Sequence, residues 1–259
     1  WKEVDEALRR GLPKTAMEKL EPIIREAIAE KAWAEAVRAI ARKIALESQI
    51  EGNKPEERIS RLQAELETAP AEIRPLMHSI LGHWYWNFFQ ENRWRFLQRT
   101  QTAEPPGPDI LTWDLARILA EIDRQFSAAL ADEKSLQAEP IGRWDALLEK
   151  GTMPDACRPT LFDFLAHEAL KFYQAGEQAG AKPTDAFVIE AESPVFGTTD
   201  EFLRWVPDTG DETSPLFKAV KVLQKLIAFH RNDGDPTALL DAELARLSFA
   251  KEQAIGETK

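Results

Sequence analysis

The chain has 259 residues, of which 44% are hydrophobic and 30% are charged, and these values are ordinary for a globular protein. Its formal net charge of -11 argues against a nucleic-acid backbone as partner, because phosphate binding needs a basic face. Residues 1–100 hold 17 Lys and Arg against 16 Asp and Glu, so the excess acid lies in residues 101–259.

The first hundred residues predict a series of helices. Apolar residues recur at helical spacing over Leu12–Ile28, Ala34–Ala45, Ile59–Leu66 and Leu76–Phe89. Glycine and proline interrupt the pattern between these stretches, at residues 52–55 and at 70–75. The Leu-Gly-x-x-Tyr element at residues 81–85 is typical of tetratricopeptide-type hairpins, although no strict 34-residue period is present. We therefore predict an all-α fold in which residues 1–101 form a tetratricopeptide-like array of antiparallel helical hairpins.

A second region is predicted after the proline-rich break at residues 102–109. Helical spacing resumes there, and Thr160 with Asp163 fits a capping box at the start of a further helix. Residues 181–213 are rich in proline and glycine, which indicates an irregular segment with at most a minor β element. Ser214-Pro215 and Asp235-Pro236 then open a last helical hairpin. Residues 110–259 are expected to pack on the first array, or to form one continuous domain with it.

The residues that could carry catalysis lack the spacing that catalysis needs. His167-Glu168 would require a histidine at position 171 to match a metalloprotease helix, and position 171 is lysine. Cys157, the single cysteine, excludes an internal disulfide and has no nucleophile signature around it. Phosphate-binding glycine loops and a Gly-x-Ser-x-Gly elbow are also missing from the sequence. We therefore predict no catalytic, cofactor-binding or metal-binding residues, and a protein that is not an enzyme.

The stretch "LGHWYWNFFQENRWRFLQRT", residues 81–100, holds seven aromatic side chains between Trp84 and Phe96. On a helix, this spacing gives two apolar stripes, one at Ile80, Trp84 and Phe88 and the other at Leu81, Tyr85 and Phe89. We expect both stripes to lie in the hydrophobic core. No acidic residue occurs between positions 92 and 100. The arginines there could pair with the acidic second region or bind an acidic partner. The candidate interaction residues are Trp86, Arg93, Trp94, Arg95 and Arg99.

Four blocks of the sequence resemble one known family. They are "VDEALRRGLPKTAMEKLEPIIREA", "HSILGHWYWNFFQENRWRFLQRTQT", "DILTWDLARILAEI" and "RPTLFDFLAHEALKFY". In order and spacing these blocks resemble the N-terminal helical region of bacterial α2-macroglobulin-like proteins. The resemblance covers most of residues 1–175.

The resemblance implies a protease-trap parent that is exported and held in the periplasm or at the cell envelope. Such parents consist mainly of β-sandwich domains, and many contain a thioester in a Cys-x-Glu-Gln element. Cys157 is followed by Arg158, Pro159 and Thr160, so it does not match that element. The chain starts at Trp1 in a helical pattern and has neither a signal peptide nor an apolar run that could cross a bilayer, so we expect it to be a piece of a longer protein.

Two functions from different classes remain open at this point. The first is a non-catalytic module that binds a protein partner or the remaining domains of its parent chain, or that only spaces them. The second is a carbohydrate-active or hydrolytic helical domain with a tryptophan platform and paired acids. The second function requires several of Trp84, Trp86, Trp94 and Trp113 to be exposed in one cleft.

Overall fold

A computed structural model describes residues 1–98, 107, 109–177 and 186–256. Within these ranges the fold is all-α, as predicted, and its β structure is a minor sheet of two two-residue strands. The twelve α-helices in the described ranges are α1 (Lys2–Arg9), α2 (Pro13–Ala29), α3 (Trp33–Ile50), α4 (Pro55–Thr68), α5 (Arg74–Glu91), α6 (Arg93–Gln98), α7 (Leu115–Ala129), α8 (Glu133–Gln137), α9 (Leu161–Gln174), α10 (Thr199–Arg204), α11 (Pro215–His230) and α12 (Thr237–Gln253). The strands are β1 (Ile189–Glu190) and β2 (Ala254–Ile255).

The chain divides into two compact units. The first contains Trp1–Asp132 and Gly142–Gly151, and the second contains Glu133–Ile141 and Thr152–Lys259. The first unit includes α7, so it extends beyond the predicted array at residues 1–101. No helix in the described ranges has the length and apolar character that crossing a membrane requires.

In the first unit, each of the helices from α1 to α4 packs against the next one along the chain. Pro13 and Pro55 occupy the first positions of α2 and α4, where a missing N–H costs no hydrogen bond. Gly11, between α1 and α2, has φ of +70°, a conformation that glycine adopts without strain. The tetratricopeptide-like, antiparallel arrangement stays a prediction.

Helix α5 is the centre of the first unit because it packs against α4, α6 and α7. Helix α7 lies close to α5 at Gly82, where a Cβ atom would be 3.2 Å from the ring of Phe126 on α7. The glycine of the Leu-Gly-x-x-Tyr element therefore lets α7 pack closely on α5, and a larger residue would require the ring of Phe126 to shift. The predicted core stripes are confirmed at Leu81, Tyr85, Phe88 and Phe89, which are buried, whereas Ile80 and Trp84 are half-buried.

The second unit is built around α11, which packs against α9, α10 and α12. The predicted capping box at the start of α9 is confirmed, with Thr160 and Asp163 exchanging side chain–backbone bonds. The minor β element predicted near residues 181–213 is β1, and its parallel partner β2 lies far along the chain. The part of that segment which the structure describes also contains the short helix α10.

Candidate interaction surface

Helix α6 holds three of the predicted interaction residues, and its two faces differ. Phe96 is buried, with its ring 5.7 Å from that of Phe89 and 6.1 Å from that of Phe88. Trp94 is 66% exposed and Leu97 is 53% exposed. Because residues three apart lie on the same side of a helix, Trp94 and Leu97 form one outward apolar pair. Phe96 fixes the rotation of α6 and so directs this pair to solvent.

The two described arginines of α6 have different roles. Arg95 donates from Nη2 to the backbone carbonyl of Leu111, which anchors α6 to the segment before α7. Arg93 is exposed, and its guanidinium lies 5.8 Å from the ring centroid of Phe89. Arg93 therefore adds positive charge next to the apolar pair. Arg99 lies outside the described residues.

Trp86 belongs to a different environment from Trp94. It is half-buried on α5, where its ring stacks on that of His83 with a centroid distance of 6.1 Å. Trp113 is 3% exposed and stacks on Tyr85 at 5.6 Å, and Trp84 is half-buried. Of these four tryptophans, only Trp94 is exposed. We call the surface formed by Arg93, Trp94 and Leu97 the α6 surface.

Sequence reasoning missed Leu97, which completes the α6 surface. Its signal was present in the sequence, since Leu97 follows Trp94 by three residues, a spacing that places two side chains on the same side of a helix. What the spacing could not show was which of Trp94, Phe96 and Leu97 points inward.

His230, in the second unit, is buried between two carboxylates. Its Nε2 lies 2.6 Å from Oδ1 of Asp163, and its Nδ1 lies 2.7 Å from Oδ2 of Asp233. Burial lowers the pKa of His230, but the hydrogen bonds to both carboxylates outweigh it and leave the pKa raised. The imidazolium form satisfies both contacts because it has a proton on each nitrogen. His230 thus joins the start of α9 to the end of α11.

His167 is also buried, but its pKa is shifted in the opposite direction. Its Nδ1 donates to the backbone carbonyl of Asp163 at 2.8 Å, and its Nε2 faces Oδ2 of Asp241 at 3.4 Å. Burial, followed by the nearby charge of Arg158, lowers the pKa of His167. Arg158 itself donates to Asp241 at 3.0 Å. These contacts bind α9 to α12, which gives His167 a structural role.

Across residues 1–98, 107, 109–177 and 186–256, no group of three or more His, Cys, Asp and Glu side chains could hold a metal ion. Cys157 has a free thiol and is half-buried.

Two adjoining cavities open on the irregular part of the second unit, and the sequence did not predict them. Their volumes are about 650 and 480 Å³, and Ser193 and Trp205 line both. Gln224 holds one wall by donating to the backbone carbonyls of Phe202 and Trp205. The larger cavity combines the aromatic rings of Phe196 and Trp205 with the charged side chains of Glu192, Glu201 and Arg204.

Comparisons of the chain with protein-family models, with curated proteins and with solved structures found no match.

Proposed function

We propose that the chain is a non-catalytic helical module that binds another protein through the α6 surface. The single observation that carries this proposal is the exposure of Trp94 beside Leu97 on a helix whose opposite side is anchored by Phe96. Tryptophan is enriched among the residues that dominate binding energy at protein interfaces, and arginine is enriched with it. An exposed Trp–Leu pair next to Arg93 has the composition of such a site.

The charge on α6 defines the partner that this surface would bind. Residues 92–98 contain two arginines and no acid, in a chain whose net charge is -11. The complementary partner is a protein surface with an apolar pocket for Trp94 and carboxylates near Arg93. Burial of Trp94 would supply most of the affinity, and the arginine would contribute mainly to orientation and association rate.

We further propose, from the resemblance, that the module stands on the N-terminal side of a bacterial α2-macroglobulin-like protease trap in the periplasm or cell envelope. Its partner would then be another envelope protein or a further domain of the parent. Sequencing the gene on both sides of this region tests that part. An export signal upstream and long β-rich sequence downstream support it, whereas a stop codon directly after Lys259 overturns it.

The α6 surface is tested by site-specific photo-crosslinking in the source cells. A photoreactive residue at position 94 should give a defined cross-linked product, and the same residue at Val206, which is 78% exposed, is the control. The product is identified, and the purified partner is titrated against Trp94→Ala, Arg93→Glu and Val206→Ala. We expect Trp94→Ala to weaken binding by about 30-fold or more, in the range of an interface hot spot, and Val206→Ala to change nothing.

A product that forms equally from positions 94 and 206 would contradict the α6 surface. Absence of any product would favour a spacer without a preferred partner. The carbohydrate-active alternative predicts instead that Trp94→Ala abolishes glycan binding or turnover. Trp113 is buried and Trp84 and Trp86 are only half-exposed, which supports the interaction module over that alternative.

A further inference from the structure

The two cavities of the second unit share a wall, because Ser193 and Trp205 line both of them. The larger cavity is lined mainly by residues 191–197 and by α10, and the smaller one mainly by residues 186–190 and 207–210. Their volumes of about 650 and 480 Å³ lie within the range of roughly 300–1,000 Å³ that is usual for small-molecule sites. We call the two cavities together the Trp205 cleft.

Trp205 is held in place through both its backbone and its ring. Its backbone carbonyl accepts a hydrogen bond from Nε2 of Gln224 at 2.7 Å. Its ring centroid lies 6.3 Å from that of Phe187 and 6.3 Å from that of Phe202, and both phenylalanines are buried. Trp205 itself is half-buried. The shared wall is therefore formed before a ligand arrives, which lowers the free-energy cost of binding.

A tight turn at the end of β1 places carboxylates at the cleft. The backbone N–H of Glu190 donates to Oγ of Ser193 at 2.9 Å, and the backbone N–H of Ser193 donates to the carbonyl of Glu190 at 3.0 Å. Glu192 lines the larger cavity and Glu190 lines the smaller one. Asp208 adds a further carboxylate to the smaller cavity. Each cavity therefore has an acidic side chain of its own beside the shared wall.

The charged side chains of the cleft leave an excess of negative charge. Among the described residues that line it, Arg204 is the only basic one. Arg204 follows Glu201 by three residues on α10, so their charges largely offset each other. Glu190, Glu192 and Asp208 are exposed, and none of them forms an ion pair with another described residue. These three carboxylates give the cleft its net negative charge.

Basic side chains near α10 and the larger cavity are paired with other groups. Arg246 bonds to the backbone carbonyl of Gly197 at 2.9 Å and pairs with Glu243 at 2.6 Å. Arg231 pairs with Asp200 on α10 at 2.5 Å. These two arginines therefore do not neutralise the carboxylates of the cleft.

An aromatic ring beside carboxylates is an arrangement that binds organic cations. Among the aromatic side chains, tryptophan attracts a cation most strongly over its ring face. A carboxylate accepts charge-assisted hydrogen bonds from an ammonium group. The rings of Phe196 in the larger cavity and Phe187 in the smaller one add apolar surface for a carbon chain.

We propose that the Trp205 cleft binds a linear aliphatic diamine or polyamine, with one ammonium group in each cavity and the carbon chain along Trp205. A ligand with two cationic ends matches the cleft because each cavity has its own carboxylates and the aromatic wall lies between them. The inference is independent of the proposed function, because the α6 surface takes no part in it.

Titration calorimetry at low ionic strength tests the need for two ammonium groups. Cadaverine is compared with pentylamine, which has the same carbon chain but a single ammonium group. We expect cadaverine to bind at least about fivefold more tightly, and added salt to weaken its binding. In a series of diamines of increasing length, the affinity should pass through a maximum at the chain that spans both cavities. Equal affinities of cadaverine and pentylamine would overturn the proposal.

Charge variants test whether the diamine binds in the cleft. Glu192→Gln and Asp208→Asn each remove one carboxylate, from the larger and the smaller cavity. Glu72→Gln is the matched control, because Glu72 is exposed in the first unit and its replacement changes the net charge equally. Each cleft variant should weaken cadaverine binding by about two- to fivefold, in the range of partly exposed ion pairs. An equal effect of Glu72→Gln would mean that cadaverine responds only to the net charge, which overturns the site.

NMR signals of the indole N–H groups locate the bound ligand. The signal of Trp205, assigned by its loss in Trp205→Phe, should shift when cadaverine is added. The signal of Trp94, which is exposed in the first unit, is the reference and should stay in place. A Trp205 signal that does not move would overturn the site. Tighter binding of a lysine-containing peptide than of cadaverine would overturn the free diamine and identify a basic protein segment as the occupant.

Discussion

Helices α5 and α12 are both apolar around much of their circumference, but the protein uses them differently. Helix α5 is covered by α4, α6 and α7, and its buried side chains are almost all apolar. Helix α12 exposes three leucines and packs inward through Arg246 and the carboxylate of Asp241. A helix that is apolar around much of its circumference therefore has several surfaces that can pack. The pattern does not show that its own unit covers all of them.

The largest expected effect tests the α5 side of this comparison. Leu81→Ala removes a fully buried side chain and leaves a cavity, so we expect the free energy of unfolding to fall by about 2–5 kcal/mol. Denaturant unfolding measures the loss, and hydrogen exchange of the α5 amides locates it in the first unit. A loss below about 1 kcal/mol would mean that the core around α5 relaxes without a cavity.

The second-largest expected effect tests the face of α12 that packs against the second unit. Arg246→Met removes the bonds to the carbonyls of Val195 and Gly197 and leaves Glu243 without its cation. We expect a loss of about 2–3 kcal/mol, because buried polar groups are left unpaired. Arg204→Met is the matched control, since Arg204 is exposed, and it should change stability by less than about 0.5 kcal/mol. If both variants lose the same stability, the Arg246 contacts are not what holds α12.

Three histidines divide into two groups by the direction of their pKa shift. His78 on α5 and His167 both have a lowered pKa, with burial as the main cause, whereas the carboxylates of Asp163 and Asp233 raise the pKa of His230. Because the pKa of His230 is raised, its contribution to the free energy of unfolding is fully present below about pH 6.5, the pKa of histidine in unfolded chains. That contribution is lost as pH rises through the folded-state pKa of His230. A lowered pKa gives the opposite slope, with stability lost as pH falls below about 6.5.

We therefore expect His230→Gln to abolish the alkaline loss of stability of the second unit. His167→Gln serves as the contrasting variant, and it should reduce the loss of stability at acidic pH instead. Chemical unfolding from pH 5 to pH 9 measures both slopes. An unchanged alkaline slope in His230→Gln would show that the imidazolium does not stabilise the fold.

The smallest expected effect comes from a leucine-to-alanine substitution on α12, the same kind of change as Leu81→Ala on α5. Leu244→Ala on α12 removes a side chain that is 65% exposed, so stability should change by less than about 0.5 kcal/mol. Denaturant unfolding measures the change. A loss as large as that of Leu81→Ala would mean that Leu244 is covered in solution.

Local signals in the sequence predicted much of the fold. Helical spacing identified the longer helices but not the short helices α1, α6, α8 and α10. Thr160 and Asp163 predicted the start of α9, and Pro215 predicted the start of α11. The predicted interaction residue Trp94 is exposed, whereas Trp86 is half-buried against His83. Helical periodicity describes the spacing of apolar residues, but it does not show which of two apolar faces points inward.

Long-range contacts were beyond the reach of the sequence pattern. Nothing in the residues around Ile189 indicates that β1 pairs with Ala254, because two-residue strands have no period to recognise. In the same way, Arg246 is an ordinary helix residue in the sequence, and its contacts with the carbonyls of Val195 and Gly197 appear only when α12 is folded onto that loop.

The pairing of β1 with β2 affects the order in which the protein can fold during synthesis. Helices α1 to α4 each contact the next helix, so those contacts can form as the chain leaves the ribosome. Strand β1 must wait until Ala254 and Ile255 have been made before its hydrogen bonds can form. Ribosome-bound chains halted before residue 254 should therefore leave the β1 segment open to proteases while α1 to α4 are already protected.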